Sequence, residues 1–203
     1  MFDKSHTYRV FLAIVPPAEI RAMLRDYNRS LKKYARNFRF VSIEQLHITL
    51  QFIGNGVSGH SLETLVENIG NLTNDTNSFD LTFDSIHFGF PGQNIPHLLF
   101  YSVTPNEDLK DLVGIVHEIN KELKLPDTNK KKDHSKLINH LTVARTKSDS
   151  NRSFGREIRE EIKSLNFKPI TFKVEEFHLV SSVFKEKGTI YSTLATFPLL
   201  DGK

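Results

Sequence analysis

The chain of 203 residues contains no cysteine. Disulfides, thiolate metal sites and a cysteine nucleophile are therefore excluded. The disulfide argument for secretion goes with them. Long apolar runs are also missing. The longest early one, Val10–Val15, falls well short of the ~20 residues that cross a bilayer. No small-residue cleavage site accompanies it, so the sequence carries no recognisable signal peptide. The expectation is a cytoplasmic protein, monomeric and without a membrane partner. Neither sign of charge dominates, since 27 Lys and Arg against 24 Asp and Glu leave a net charge of +3. A mildly basic balance suits a phosphate-bearing partner such as RNA, and equally suits an ordinary soluble protein.

What is present is a globular composition. Hydrophobic residues make up 38% and charged residues 25%, enough for a substantial core in one domain of two lobes over residues 1–203. Tyr8–Val15 reads as a buried strand. Pro16 and Pro17 follow, and then Ile20, Met23, Leu24, Tyr27, Leu31 and Tyr34 recur at helical spacing. Ser58 or Ser61 is placed to cap a second helix, Asn106 opens a third, and Ser153 is placed to cap a fourth. Strands are expected at Phe79–Phe88, His97–Thr104, Ile170–Val174, Glu176–Phe184 and Thr189–Phe197. Helices and strands mix without strict alternation, which argues for an α+β fold with largely antiparallel sheets.

The chemistry concentrates in one short stretch, Leu46-His47-Ile48-Thr49-Leu50-Gln51-Phe52-Ile53-Gly54. In a strand, His47 and Thr49 point to one face, and Ile48 and Leu50 to the other. The pattern returns at His140-Leu141-Thr142-Val143-Ala144-Arg145. A single His-x-Thr is weak evidence, because a half-buried histidine is common in cores. Two of them, each inside an apolar run and half a chain apart, suggest two similar halves that share a cleft.

Histidine gives or takes a proton near neutral pH. A pair on opposite sides of a substrate serves as acid and base in one in-line displacement, while threonine hydroxyls donate to phosphate oxygens. Threonine is a poor metal ligand and neither motif contains a carboxylate, so a metal site at the motifs is the weaker reading and no cofactor is expected. Further histidines, including His87, His117 and His178, lack a threonine two residues on and read as structural.

Several stretches together resemble the two-histidine phosphoesterase superfamily, and within it the RNA 2′,3′-cyclic phosphodiesterase (2′-5′ RNA ligase) family. They are Arg9-Val10-Phe11-Leu12-Ala13-Ile14 with its prolines, the two His-x-Thr motifs, and the tail from Phe177 through Ser182, Gly188, Tyr191 and Leu194 to Phe197-Pro198-Leu199. The chain departs from the family pattern at Asn139, where proline is usual before the second histidine. It departs again at His97 and Phe100, in place of arginine and tryptophan, and at Val180, in place of an aromatic residue.

The resemblance implies a two-lobed, pseudo-twofold α+β fold with antiparallel sheets facing a central cleft and helices outside. It implies hydrolysis of RNA or nucleotide 2′,3′-cyclic phosphates to 2′-phosphates, with His47 as proton donor, His140 as acceptor, and Thr49 and Thr142 on the phosphate. It also implies an ATP-independent reverse reaction that joins 2′-5′ ends. A non-catalytic nucleotide- or RNA-binding module of the same fold stays open at this point. Arg145, three residues beyond Thr142, faces away from it in an ideal strand and reaches a cleft only if the strand bends. Phe11 and Tyr191 are candidates for stacking a base. The lysines at 130–132 are candidates for tracking an RNA backbone.

Overall fold

The computed structural model describes residues 2–93, 96–126, 139–147, 152–186 and 188–201. The lysine run at 130–132 therefore lies outside the described residues. The chain runs through strand β1 (Thr7–Ile14), helix α1 (Ala18–Asn28), a short β2 (Phe38–Phe40), β3 (Ile48–Ser58) and α2 (Gly59–Thr73). It continues through β4 (Phe79–Phe88), β5 (Leu98–Val103), α3 (Glu107–Glu122), β6 (His140–Thr146) and α4 (Arg152–Ser164), and ends with β7 (Ile170–Val174), β8 (Glu176–Lys185) and β9 (Gly188–Pro198).

Two helix starts follow the sequence reading. The Ser58 hydroxyl accepts the Ser61 backbone N–H at 3.1 Å, and the Asn106 side chain accepts that of Leu109 at 2.7 Å. Two other expectations need correction. Ser153 is not a cap, because α4 already includes it. The first helix does not run on to Tyr34. It ends at Asn28, whose buried side chain takes the Tyr101 hydroxyl at 2.7 Å. A tighter 3-10 turn over Ser30–Tyr34 then carries Leu31 into the core. No helix among the described residues is long and apolar enough to cross a membrane.

The strands form one curled sheet in the order β7-β4-β5-β6-β3-β1-β8-β9, antiparallel throughout, with β2 added to the edge of β6. Reading outwards from the middle gives two four-stranded arms, β3-β1-β8-β9 and β6-β5-β4-β7. Each arm is built on a strand–helix–strand–helix run, β1-α1-β3-α2 in one and β5-α3-β6-α4 in the other. Among the described residues the arms meet at a single ladder pair, Ile48 opposite Leu141.

The two faces of the sheet differ in kind. Val10, Leu12 and Ile14 of β1, Ile48 and Leu50 of β3, and Leu141 and Val143 of β6 join one large core with helix residues such as Leu24, Leu65, Leu112 and Ile158. The helices thus cover this face. The other face carries a small apolar patch of its own, Phe11, Ala13 and Val180, with Phe52 and Tyr191 against it. Strand alternation puts both His-x-Thr pairs on this open side. Gly54, at the end of the first motif, has φ +156, and a Cβ there would sit 2.1 Å from the Pro126 carbonyl oxygen, so only glycine fits.

Ile48 and Leu141 are each fully buried. Ile48→Ala and Leu141→Ala should each destabilise the protein by about 2–5 kcal/mol, measured by chemical denaturation. A loss below about 1 kcal/mol for both, the range of a surface substitution, would contradict a packed seam.

Candidate active site

The antiparallel register through Ile48 and Leu141 sets Thr49 across from His140 and His47 across from Thr142. The two motifs therefore interlock around a local twofold. Each imidazole stands beside the other motif's hydroxyl, on the side of the sheet that no helix covers. Among the described residues neither Thr49 nor Thr142 spends its hydroxyl on a hydrogen bond, and Thr49 is exposed. Two hydroxyls thus face the same opening, both able to donate to an oxyanion.

His47 is fixed from three sides. A 3-10 turn over Ile43–Gln45 delivers the Gln45 carbonyl to the His47 Nδ1 at 2.8 Å. A carbonyl only accepts, so Nδ1 carries its hydrogen and, in the neutral ring, Nε2 is the nitrogen left to accept a proton. Phe11 and Tyr191 wall the ring, with centroids 5.0 and 5.1 Å away. Phe11 is only 4% exposed. It holds His47 in place and offers little free face to a base, whereas Tyr191 is half-buried at the mouth of the cleft. Burial is the main cause that lowers the His47 pKa. The Gln45 hydrogen bond opposes it, and the nearby charges of Arg145 and His140 push it lower still.

His140 has a comparable surround that the sequence reading did not identify. Phe90 and Phe100 stand 5.2 and 5.3 Å from it, both edge-on. The departure at Phe100 therefore keeps an aromatic wall beside the second histidine. Phe100 itself stacks between Phe90 and His87, at 4.8 and 5.6 Å.

Arg145 does reach the cleft. Leu99 pairs with Ala144 and Phe100 with Thr142, so Val143 is an extra residue in β6. Val143 and Ala144 both turn into the core. This bulge resets the alternation and returns Arg145 to the face of Thr142. The first motif has a matching bulge at Leu50, between the pairs Ala13–Thr49 and Leu12–Gln51, which returns Phe52 to the open face. Arg9, on the same face, lies 4.8 Å from the Phe52 ring and donates to the Ser182 hydroxyl.

His178 of β8 stands two strands from Thr49 in the same cross-strand row, with Ala13 between them, bonded to Thr196 at 3.1 Å and near Glu176. His87 bonds the Ser85 hydroxyl at 2.9 Å. Among the described residues no three His, Asp or Glu side chains group so as to hold a metal ion.

A sequence model of the 2′-5′ RNA ligase superfamily matches residues 16–183. The RNA 2′,3′-cyclic phosphodiesterase of Archaeoglobus fulgidus is 28% identical over 190 residues, covering 93% of this chain and 99% of that protein. The protein of the same name from Thermotoga maritima is 25% identical over 186 residues, 92% of each chain. In fold, the chain is similar to TT0787 of Thermus thermophilus, with a TM-score of 0.75 and 24% identity over 96% of this chain and 100% of that one. It is also similar to E. coli LigT complexed with 3′-AMP, with a TM-score of 0.71 and 22% identity over 96% and 99%.

The surroundings of His47 lead to a titration that can be observed. In the free protein its imidazole should titrate below the ordinary value of 6.5. Arg145→Gln removes a like charge and should move that titration upward. Ring-proton NMR reads both. A wild-type titration at or above the ordinary value would contradict the burial account.

Proposed function

The chain belongs to the 2′-5′ RNA ligase superfamily, and from that premise we propose that it hydrolyses 2′,3′-cyclic phosphates of RNA or nucleotides to 2′-phosphates. The observation that carries this reading is the interlocked pair of His-x-Thr motifs around the Ile48–Leu141 bridge. Relatives named RNA 2′,3′-cyclic phosphodiesterase, similar over nearly the whole chain, support it.

In this mechanism the cyclic phosphate lies over the bridge, its non-bridging oxygens taking hydrogen bonds from Thr49 and Thr142. His140 removes a proton from water as the new P–O bond forms. His47 donates its Nε2 proton to O3′ as the P–O3′ bond breaks, and the phosphate remains on the 2′-oxygen. His47 ends neutral and His140 protonated, and exchange with solvent restores both. The low pKa of His47 in the free protein runs against its being a standing acid. The phosphodiester anion reverses that sign: a negative charge beside the ring favours the imidazolium and raises its pKa. His47 is thus charged by the substrate it serves. With a 5′-hydroxyl in place of water, the same steps form a 2′-5′ linkage, and the opened cyclic ester supplies the driving force without ATP. The developing charge is met by imidazolium and the two hydroxyls, so no metal is required.

The test uses an oligonucleotide ending in a 2′,3′-cyclic phosphate. His47→Ala and His140→Ala should each lower turnover by about 10²–10⁴ while the fold survives. Thr49→Val and Thr142→Val should cost less than that, at most on the order of 10²–10³. The product should be the 2′-phosphate. Near-wild-type turnover by either folded histidine variant, or a 3′-phosphate product, would overturn the mechanism. Tight binding of the oligonucleotide with no turnover by the wild type would make the chain a binding module.

A further inference from the structure

Arg39 and Arg145 stand directly opposite one another in the antiparallel pairing of β2 with β6. On either side of them Phe38, Phe40 and Ala144 turn into the helix-covered core, so both guanidinium groups emerge on the open face. Both are exposed. Among the described residues neither arginine has a hydrogen-bond or ion-pair partner. Like charges directly across a ladder repel and destabilise the sheet. An arrangement of this kind becomes favourable when an anion bridges the pair, and arginine's planar fork matches a phosphate.

The pair lines a cleft of about 850 Å³, together with Gln45, Phe184, Lys185, Glu186, Thr189 and Tyr191. Gln45 and Tyr191 also line the smaller cleft that holds His47, so the two clefts adjoin across these side chains. The Gln45 amide donates to the Thr189 carbonyl at 2.8 Å and ties the β8–β9 hairpin to this wall. Phe184 of that hairpin is 71% exposed. Its face is backed by the Arg9 guanidinium at 5.1 Å, which leaves the other side open to a stacking partner. Three cations outweigh the one carboxylate, Glu186.

We infer that this cleft is a subsite for the nucleotide next to the reacting one: Arg39 and Arg145 take its phosphodiester, and Phe184 stacks its base. The inference rests on the reading of the chain as a cyclic phosphodiesterase and adds the substrate class, an RNA strand end in preference to a mononucleotide. A mononucleotide 2′,3′-cyclic phosphate fills only the His47–His140 site. A strand fills both, and its stacked base and second phosphate add affinity without altering the chemistry.

The experiment compares wild type, Arg39→Ala, Arg39→Lys and Phe184→Ala on a mononucleotide and on an oligonucleotide 2′,3′-cyclic phosphate. Arg39→Ala should lower the oligonucleotide-to-mononucleotide ratio of kcat/KM by roughly tenfold, the scale of one charged hydrogen bond. Phe184→Ala should lower it by a similar factor, and Arg39→Lys should recover part of the loss. Binding of an oligonucleotide ending in a 2′-phosphate is followed in parallel by fluorescence anisotropy. Arg39→Ala should reduce its log–log salt slope by about 0.7, one phosphate on a single strand. Because the substitution relieves repulsion, thermal stability should not fall. An unchanged ratio with an unchanged salt slope would overturn the subsite, and a loss explained by a lowered melting temperature would make Arg39 structural. If the wild type turned over neither substrate, the catalytic reading would fail by itself, and the salt slope would still decide whether the arginine pair holds RNA.

Discussion

Ile48 packed against Leu141 is the contact on which the rest of the site depends. Among the described residues it is the one ladder pair that joins the two arms of the sheet, and both side chains are sealed beneath the helices. Anchoring these two residues inward forces their neighbours outward. The histidine and threonine on either side of each anchor have no choice of face, because strand alternation has a period of two. A slip of one residue would send both imidazoles into an apolar core, where their charged forms are costly. Register, burial and the interlocking of the motifs are therefore one constraint.

The twofold around that anchor is incomplete in its chemistry. Both motifs carry a bulge after the threonine, and both bulges return the third residue to the open face. In one arm that residue is Phe52, in the other Arg145. The first arm therefore ends in an apolar surface stacked by Arg9, and the second in a cation opposed by Arg39. The imidazoles differ as well. His47 is half-buried, bonded to a carbonyl and pressed by positive charge, so in the proposed mechanism its protonation follows the anion in the cleft. Equal backbones with unequal neighbours suit two like residues to the opposite proton-transfer roles proposed for them.

Much of this was legible from residue order alone. The alternation in Leu46–Gly54 and its return at His140 placed four side chains on one face, and the helical spacing of Leu62, Leu65 and Ile69 located a covering helix. What escaped the reading has a physical reason in each case. Val143 and Ala144 are both apolar, so nothing in their order distinguishes a bulge from a plain strand, and Arg145 looked misdirected. β2 is three residues long, too short for a period. Phe90 and Phe100 reach His140 from a loop and a neighbouring strand, and Arg39 meets Arg145 from a distant part of the chain. Contacts between distant segments are set by sheet order, which local patterns do not contain.

The claim at the centre of this account is that one imidazole begins the reaction neutral and the other protonated, with no metal between them. The pH dependence of kcat/KM for a 2′,3′-cyclic-phosphate substrate, measured on metal-free protein in EDTA, tests it most directly. The expected result is a bell near neutrality, whose two limbs are apparent values of the coupled pair. Replacing either histidine with alanine should remove the bell along with most of the rate. Activity that disappears in EDTA and returns with a divalent cation, or a rate indifferent to pH between about 5 and 9, would contradict it.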